Sequence, residues 1–283
     1  MDLSCIIVNY RQSESLEGCL DSIYQTIQEI DFEVIIIDNS EEDLGLQSLK
    51  ENYPKVQIVY NPTNVGFSKA NNQAAKIARG EFLFILNPDT ILKEQAINSM
   101  FRHIRSNMEI GALGPKVLNP DGSLQYSCRR YPTLWTSLFN RYSIFSRLFP
   151  QNRLTTRYLM LDFEHNETSP VDWLSGCCLM IPKSVFEEVN GFDENYFLFN
   201  EDIDLCRMLN QSGKKVIYFP EAKVIHKVST SNSKTTSMVI IQRHLGMMYY
   251  FKKHHSKNLL IRGIVNFFIS TRCILQLFTN LVK

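Results

Sequence analysis

Along the first hundred residues, short apolar runs alternate with longer segments in which apolar residues recur every three or four positions. Leu3 to Val8, Val34 to Ile37, Val56 to Val59 and Phe82 to Leu86 are the apolar runs. Continuous, largely β-branched runs of this length are what strands buried on both faces of a parallel sheet require. Ser13 to Ile27, Leu44 to Tyr53 and Phe67 to Ala78 lie between them, each long enough for a crossover helix. The pattern predicts an α/β fold with a doubly wound, mostly parallel central sheet flanked by helices. Ligands of such sheets sit beyond the carboxyl ends of the strands. That rule singles out Asn9-Tyr10, Asp38-Asn39-Ser40, Asn61 to Gly66 and Asn87-Pro88-Asp89.

The pattern changes at Asn119-Pro120-Asp121-Gly122, a turn signal. Residues 120 to 170 mix Arg, Tyr, Trp and Phe with little periodicity, and we read them as a mobile or partner-shaped loop region. Order resumes at Val171, with an apolar run Cys177 to Ile181, a helix near Lys183 to Val189, a turn at Asn190-Gly191 and a helix from about Glu201 to Gln211 ended by Gly213. Val216 to Phe219 reads as a late strand. The last 45 residues look helical, with Leu260, Ile264, Phe267, Phe268, Ile274, Leu275, Phe278 and Leu281 on one face. The expected organisation is a domain over 1–230, with a ligand-binding half at 1–118 and a second, catalytic half at 119–230, followed by a basic amphipathic tail at 231–283.

Composition sharpens the reading of that tail. Of 283 residues, 44% are hydrophobic and 21% charged, which excludes a disordered or fibrous chain. The net charge of +1 conceals an asymmetry: residues 222–283 carry ten Lys or Arg and no acid, so the remaining 20 basic and 29 acidic residues leave the body at −9. Lys252-Lys253-His254-His255, Arg262 and Arg272 flank the apolar face, which fits a helix at an anionic membrane surface. The same stripe fits packing against the body or a second subunit, as in a homodimer, whereas no nucleic-acid reading motif accompanies the charge. Cys5, Cys19, Cys128, Cys177, Cys178, Cys206 and Cys273 have no CxxC spacing and read as reduced thiols. No signal peptide is expected, and Arg262 and Arg272 interrupt the most apolar stretch, so no membrane-spanning segment is expected either. The expected location is cytoplasmic, peripheral on the inner face of the cytoplasmic membrane.

Neither GxGxxG after the first strand nor GxxxxGK[ST] occurs. What the strand ends offer instead is carboxylates and amides. Asp38 is placed to accept from a pyrimidine imide N–H or ribose hydroxyls, Asp89 to hold a divalent cation that neutralises a diphosphate, and Tyr10 to stack on a base. Asp-Asn after a strand is also an ordinary turn pair.

Ser4 to Tyr10, Asp38-Asn-Ser40, Asn64-Val-Gly-Phe67 with Ala70-Asn-Asn72, Leu86-Asn-Pro-Asp-Thr90, Trp173-Leu-Ser-Gly176, Gly191-Phe-Asp-Glu194 and Glu201-Asp-Ile-Asp-Leu205 occur in that order. Together they resemble the family 2 inverting glycosyltransferases, most closely the rhamnosyltransferase-like branch that builds bacterial surface polysaccharides. The resemblance spans roughly residues 3 to 230 and implies a GT-A fold, a nucleotide-sugar donor and a single-displacement reaction. It implies that Tyr10, Asp38 and Asn39 hold the nucleoside and that Asn64, Gly66 and Asn71 shape the wall beside it. Asp89 falls where the metal-binding DxD motif ends. Asn87-Pro88-Asp89 supplies one carboxylate where many relatives supply two, so a weaker or looser use of Mg²⁺ or Mn²⁺ is expected.

Asp202 stands where the general base belongs, to take the acceptor hydroxyl's proton during attack on the anomeric carbon. Acids at a helix N-terminus also serve as ordinary dipole partners. Glu201 is then an acceptor-side group or one that supports the base, Gly191-Phe192-Asp193-Glu194 shapes the turn leading to the base with Asp193 and Glu194 as acceptor-binding candidates, and Asp204 is structural. His226 is placed after the late strand, either near the metal or in a solvated turn. Trp173 is placed either to stack an acceptor sugar or to fill the core. The implied acceptor is a glycan, carried on a polyprenyl-diphosphate lipid, and the first donor is dTDP-rhamnose. A UDP-hexose donor, or a non-catalytic nucleotide-sugar or glycan-binding protein, are the alternatives.

Overall fold

The computed structural model describes residues 1–41, 46–133, 153–227, 236–255 and 258–282. The four apolar runs form strands β1 (Leu3–Asn9), β2 (Phe32–Asp38), β3 (Val56–Tyr60) and β4 (Phe82–Leu86). They pair in parallel in the order β3-β2-β1-β4. Helices α1 (Ser13–Thr26), α2 (Leu49–Asn52), α3 (Phe67–Ile77) and α4 (Ala96–Arg105) accompany them. Alternation along β1 divides the interior: Cys5 and Ile7 join a core with α1 and α4, while Ile6 and Val8 join a second core on the other face. The second core receives α3 through Ala70, Ala74 and Ala75, whose short side chains let that helix lie close to the sheet.

The first departure from expectation is α2. The helix expected over Leu44 to Tyr53 is only a 3₁₀ turn at Leu46–Ser48 followed by one α-turn, with residues 42–45 outside the described set. Among the described residues of that stretch only Leu46 and Tyr53, one at each end, are buried. A segment with so little apolar surface to bury has little tertiary reason to extend.

Beyond β4 come β5 (Thr90–Leu92), β6 (Ile110–Leu118), the short pair β7 (Cys128–Arg129) and β9 (Trp173–Leu174), β8 (Ser169–Pro170), β10 (Cys178–Pro182) and β11 (Lys215–His226). The main sheet continues β4-β10-β6-β11-β5, with β8 on β11. β10 runs antiparallel to both β4 and β6, while β6 and β11 are parallel. The expected late strand, Val216 to Phe219, is the first part of a twelve-residue β11. Pro220 hides the continuation, because a proline removes a ladder donor and normally ends a strand. Here the register with β6 shifts between Phe219 and Lys223, and the strand resumes to His226.

Helices α5 (Arg153–Leu159), α6 (Lys183–Glu188) and α7 (Glu201–Gln211) complete the body, and α8 (Ser237–His254) and α9 (Leu259–Val282) form the tail. Part of the region read as a loop is α5; residues 134–152 lie outside the described set. α8 buries Ile240, Tyr250 and Phe251, and α9 packs on it through Val265 and Ile269. The stripe foreseen as an apolar face is the opposite side of α9. Leu260, Ile264, Phe267, Phe268, Ile274, Leu275, Phe278 and Leu281 are all exposed, Phe267 by 67% and Leu281 by 73%. The two arginines do not disqualify this helix, contrary to expectation: Leu259–Leu281 is long and apolar enough to cross a membrane by length and composition.

Candidate active site

The carboxyl ends of β1 and β2 meet through paired side chains. Asp38 is fully buried; its Oδ1 accepts from Asn9 Nδ2 at 2.9 Å and from the Ser40 backbone N–H at 3.1 Å. Its Oδ2 is buried and accepts nothing within the described protein. A buried carboxylate oxygen with spare lone pairs calls for a donor from a ligand. Asn39 is held by Asn61 Nδ2, which donates to its Oδ1 at 2.8 Å, and its own Nδ2 donates to Gly66 O at 3.3 Å. Tyr10 stands 43% exposed at the mouth, with the Arg11 guanidinium 5.5 Å from its ring.

The Asn64-Val-Gly motif is a turn with a reason for each polar residue. Asn64 Oδ1 accepts from the Gly66 N–H at 3.0 Å, and Gly66 adopts φ +87°. A Cβ there would lie 2.6 Å from the Phe197 carbonyl oxygen, so only glycine lets this turn meet the 191–200 segment. Asn71 is buried, donates to Phe67 O at 2.9 Å and leaves Oδ1 without a donor among the described residues. Thus Asp38, Asn39, Asn64 and Gly66 form one hydrogen-bonded wall, with Asn71 one turn into α3 behind it.

The β4 end supplies the second group. Asp89 Oδ1 lies 3.1 Å from His226 Nε2 and accepts no hydrogen bond within the described protein. His226 Nδ1 is 2.7 Å from Gln125 Oε1, which accepts its N–H, leaving the Nε2 lone pair directed at Asp89 and at Asn87 Nδ2, 3.2 Å away. Two lone-pair donors this close are stabilised by a cation, and the Gln125 amide behind the ring is the arrangement that fixes a ligating imidazole. Asp89 and His226 would supply two ligands of a divalent ion, its other ligands coming from elsewhere, since among the described residues no group of three such side chains occurs. The sequence placed His226 after the strand; it is the strand's final residue, next to Lys227, whose N–H donates to Asp89 O at 2.9 Å. Gln125 went unnoticed, because nothing local in the sequence marks a residue whose only role is to orient another.

The third group is Asp202, in the first turn of α7. Its Oδ2 accepts from the Gly176 N–H at 3.0 Å and its Oδ1 from the Ile203 N–H at 2.9 Å. Burial raises its pKa above the ordinary carboxylate value, against the pull of those two N–H groups and of the Arg129 cation. Glu201 beside it is buried with Oε2 unbonded among the described residues, and burial together with the Asp202 charge drives its pKa well up. Gly176 explains the Trp173-Leu-Ser-Gly motif: its backbone aims the carboxylate. The next residue, Cys177, accepts at its carbonyl the Asn87 N–H at 3.0 Å. Two consecutive residues, Gly176 and Cys177, therefore tie the Asp89 group to Asp202.

Trp173 is 5% exposed, donates its indole N–H to Arg130 O at 2.9 Å and has the Arg129 guanidinium 5.2 Å from its ring, so it belongs to the core. Asp193 is engaged by Lys253 Nζ at 2.7 Å, Tyr249 OH at 3.1 Å and Asn195. Burial would raise its pKa, but these donors hold it below the usual range. Glu194 is exposed and accepts from Asn72 Nδ2 at 3.1 Å.

This architecture has known counterparts. The model of glycosyl transferase family 2 matches residues 4–189. The chain belongs to glycosyl transferase family 2. The family member is 30% identical over 265 residues to N-acetylglucosaminyl-diphospho-decaprenol L-rhamnosyltransferase of Mycobacterium tuberculosis, covering 90% of this chain and 85% of the relative. It is 25% identical to the rhamnosyltransferase WbbL of Escherichia coli K12, over 80% of this chain and 84% of that one. A crystal structure of GalNAc-T7 with UDP, GalNAc and Mn²⁺ superposes with a TM-score of 0.63 at 13% identity, over 96% of this chain and 55% of that chain. The family 2 chain is a rhamnosyltransferase-like glycosyltransferase of polysaccharide synthesis with the expected GT-A fold.

Proposed function

We propose that the protein transfers L-rhamnose from dTDP-rhamnose, with inversion, to a glycan acceptor carried on a polyprenyl diphosphate. The observation that carries this reading is the link between Asn87-Pro88-Asp89 and Asp202 through Cys177 and Gly176, which anchors a diphosphate-side group and a base on consecutive residues. The decaprenol-linked substrate and the rhamnosyl group in the name of the mycobacterial relative support the acceptor and donor classes.

In the transfer, Asp202 takes the proton of the acceptor hydroxyl as that oxygen bonds to the anomeric carbon. The bond from that carbon to the donor's diphosphate oxygen breaks, and its electron pair leaves with the nucleotide. Asp38 Oδ2 accepts the imide N–H of the pyrimidine, Tyr10 stacks on the base, and Asn39, Asn64, Gly66 and Asn71 form the wall. A divalent ion such as Mg²⁺ or Mn²⁺, held by Asp89 and His226, would neutralise charge gathering on the leaving diphosphate. Glu201, buried and driven toward its protonated form, donates rather than repels beside the acceptor, and Glu194 borders the same side.

The exposed face of α9 and the +10 charge of residues 222–283 support docking on the inner face of the cytoplasmic membrane, where such an acceptor resides. Peripheral attachment is favoured over spanning because Val265, Ile269 and Arg272 hold the other side of α9 on α8. Arg272 Nε donates to His244 Nε2 at 3.0 Å, a contact that a helix released into lipid would lose.

Asp202→Asn tests the assignment. Turnover of dTDP-rhamnose with a prenyl-diphosphate-linked glycan should fall by about 10²–10⁴-fold while dTDP binding, measured by calorimetry with Mn²⁺, stays unchanged. Near-normal turnover in this variant rules out Asp202 as the base.

A further inference from the structure

The helix that carries Asp202 begins in an unusual way. Phe199 and Asn200, immediately before α7, have φ of +69° and +71°, and no side chain caps the helix. Two consecutive non-glycine residues in the left-handed region persist only where neighbouring structure holds them. Here that neighbour is α8, in the tail. Asn200 Nδ2 donates to Arg243 O at 3.2 Å, and the Arg243 guanidinium stands 4.7 Å from the Phe199 ring centre. Gly246 lies against the same turn, where an added Cβ would come within 2.6 Å of Asn200 Nδ2 and 2.8 Å of Phe199 O. The absence of a side chain at 246 is what lets the helix seat the turn.

A second set of contacts grips α7 one turn further on. Asp204, 2% exposed, accepts from Tyr196 OH at 3.1 Å, from Lys253 Nζ at 2.8 Å and from His254 Nε2 at 2.5 Å. Lys253 also reaches Asp193 at 2.7 Å, so one ammonium joins α7, α8 and the 190–195 turn. Arg207 closes the set with Tyr250 OH at 2.8 Å and His254 O at 3.3 Å. Asp202 sits between the two grips, its carboxylate aimed the other way, at Gly176.

We propose that α8 is a positioning element of the transfer reaction, in which Gly246 seats the Phe199–Asn200 turn and Lys253 bridges Asp204 to Asp193. Together these two contacts hold Asp202 in register with the acceptor hydroxyl. The proposal rests on the reading of Asp202 as the base. A base acts only within hydrogen-bond reach of its proton, and a displacement of about 1 Å from afar can cost about 10²-fold in rate. Neither Gly246 nor Lys253 contacts substrate in this account. They act through α7, and so the tail is part of the catalytic apparatus as well as a docking surface.

The test uses the full chain and three variants, Gly246→Ala, Lys253→Met and Lys253→Arg, assayed for kcat, KM for acceptor, dTDP affinity and thermal unfolding. Gly246→Ala and Lys253→Met should each lower kcat by about 10- to 100-fold with dTDP affinity close to that of the parent and the chain still folded at the assay temperature, although both lower the unfolding temperature, the first by crowding the turn and the second by leaving Asp204 without its ammonium. Lys253→Arg, whose fork can still span two carboxylates, should recover most of the loss. Unchanged kcat in Gly246→Ala, or a loss of kcat matched by loss of dTDP affinity or of folded protein at the assay temperature, overturns the proposal. If Lys253→Met fails to fold, Gly246→Ala and Lys253→Arg decide alone, since they retain the charge at 253. Failure of the base reading is separable, because it appears as activity in Asp202→Asn whatever these variants do.

Discussion

Asp202 and Glu201 place two carboxyl groups side by side at the start of one helix, Glu201 buried and Asp202 half-buried, and both have raised pKa values. The sign of the consequence differs for stability and activity. A carboxyl whose folded pKa lies above its unfolded one stabilises the fold fully when protonated, and that contribution fades as pH rises through the folded value. Activity needs the opposite, an ionised Asp202. The acid limb of the kcat–pH profile should therefore lie above the ordinary Asp value of about 3.9, and it should be absent from the residual rate of Asp202→Asn. A profile flat down to that ordinary value would show that the base is not Asp202. At this scale Asp38, Asp89 and Asp202 were legible from sequence because each belongs to a motif at a strand end or helix start. Trp173 and Asp193 were ambiguous, since an indole or a carboxylate declares its chemistry but not which neighbours already satisfy it.

Elements were legible to the degree that burial drives their periodicity. Helix α7 runs over the expected Glu201–Gln211, with Gly213 at φ +84° just past its end, because its apolar spacing and stop signal agree. Strand β11 was half-read, since Pro220 looks like an end and only pairing with β6 makes it a bulge. That extension matters for chemistry: the added residues carry His226 to Asp89, and the segment after β6 brings Gln125 to His226. Gln125→Ala should weaken Mn²⁺ binding by about 10- to 100-fold, measured by calorimetry in the presence of dTDP, with dTDP affinity in EDTA unchanged. Equal Mn²⁺ affinity in parent and variant would remove His226 and its amide partner from the metal site.

For the whole molecule, the question is what the tail does. Two helices pack in series, α8 against α7 and the turn before it and α9 on α8, leaving ten large apolar side chains among the described residues of α9 exposed. Replacing Phe267, Phe268 and Phe278 by Ser should reduce sedimentation with anionic phosphatidylglycerol vesicles at least tenfold, since each exposed ring is worth on the order of 1 kcal/mol or more at such a surface. The parent should also lose affinity for these vesicles at high salt. Equal sedimentation of parent and variant would exclude this face as the docking surface. The sequence by itself determined the α/β class, the four parallel strands, the carboxylates at the strand ends and the tail's basic, amphipathic character. Each of these is a local consequence of spacing, β-branching or charge. Only the tertiary structure decided which side of α9 meets the protein, that Gly176 and Cys177 join the two halves of the site, and that α8 grips the helix bearing Asp202. Those contacts link residues distant in sequence, and they arise from burial and hydrogen-bond satisfaction, which are set by the packed chain as a whole.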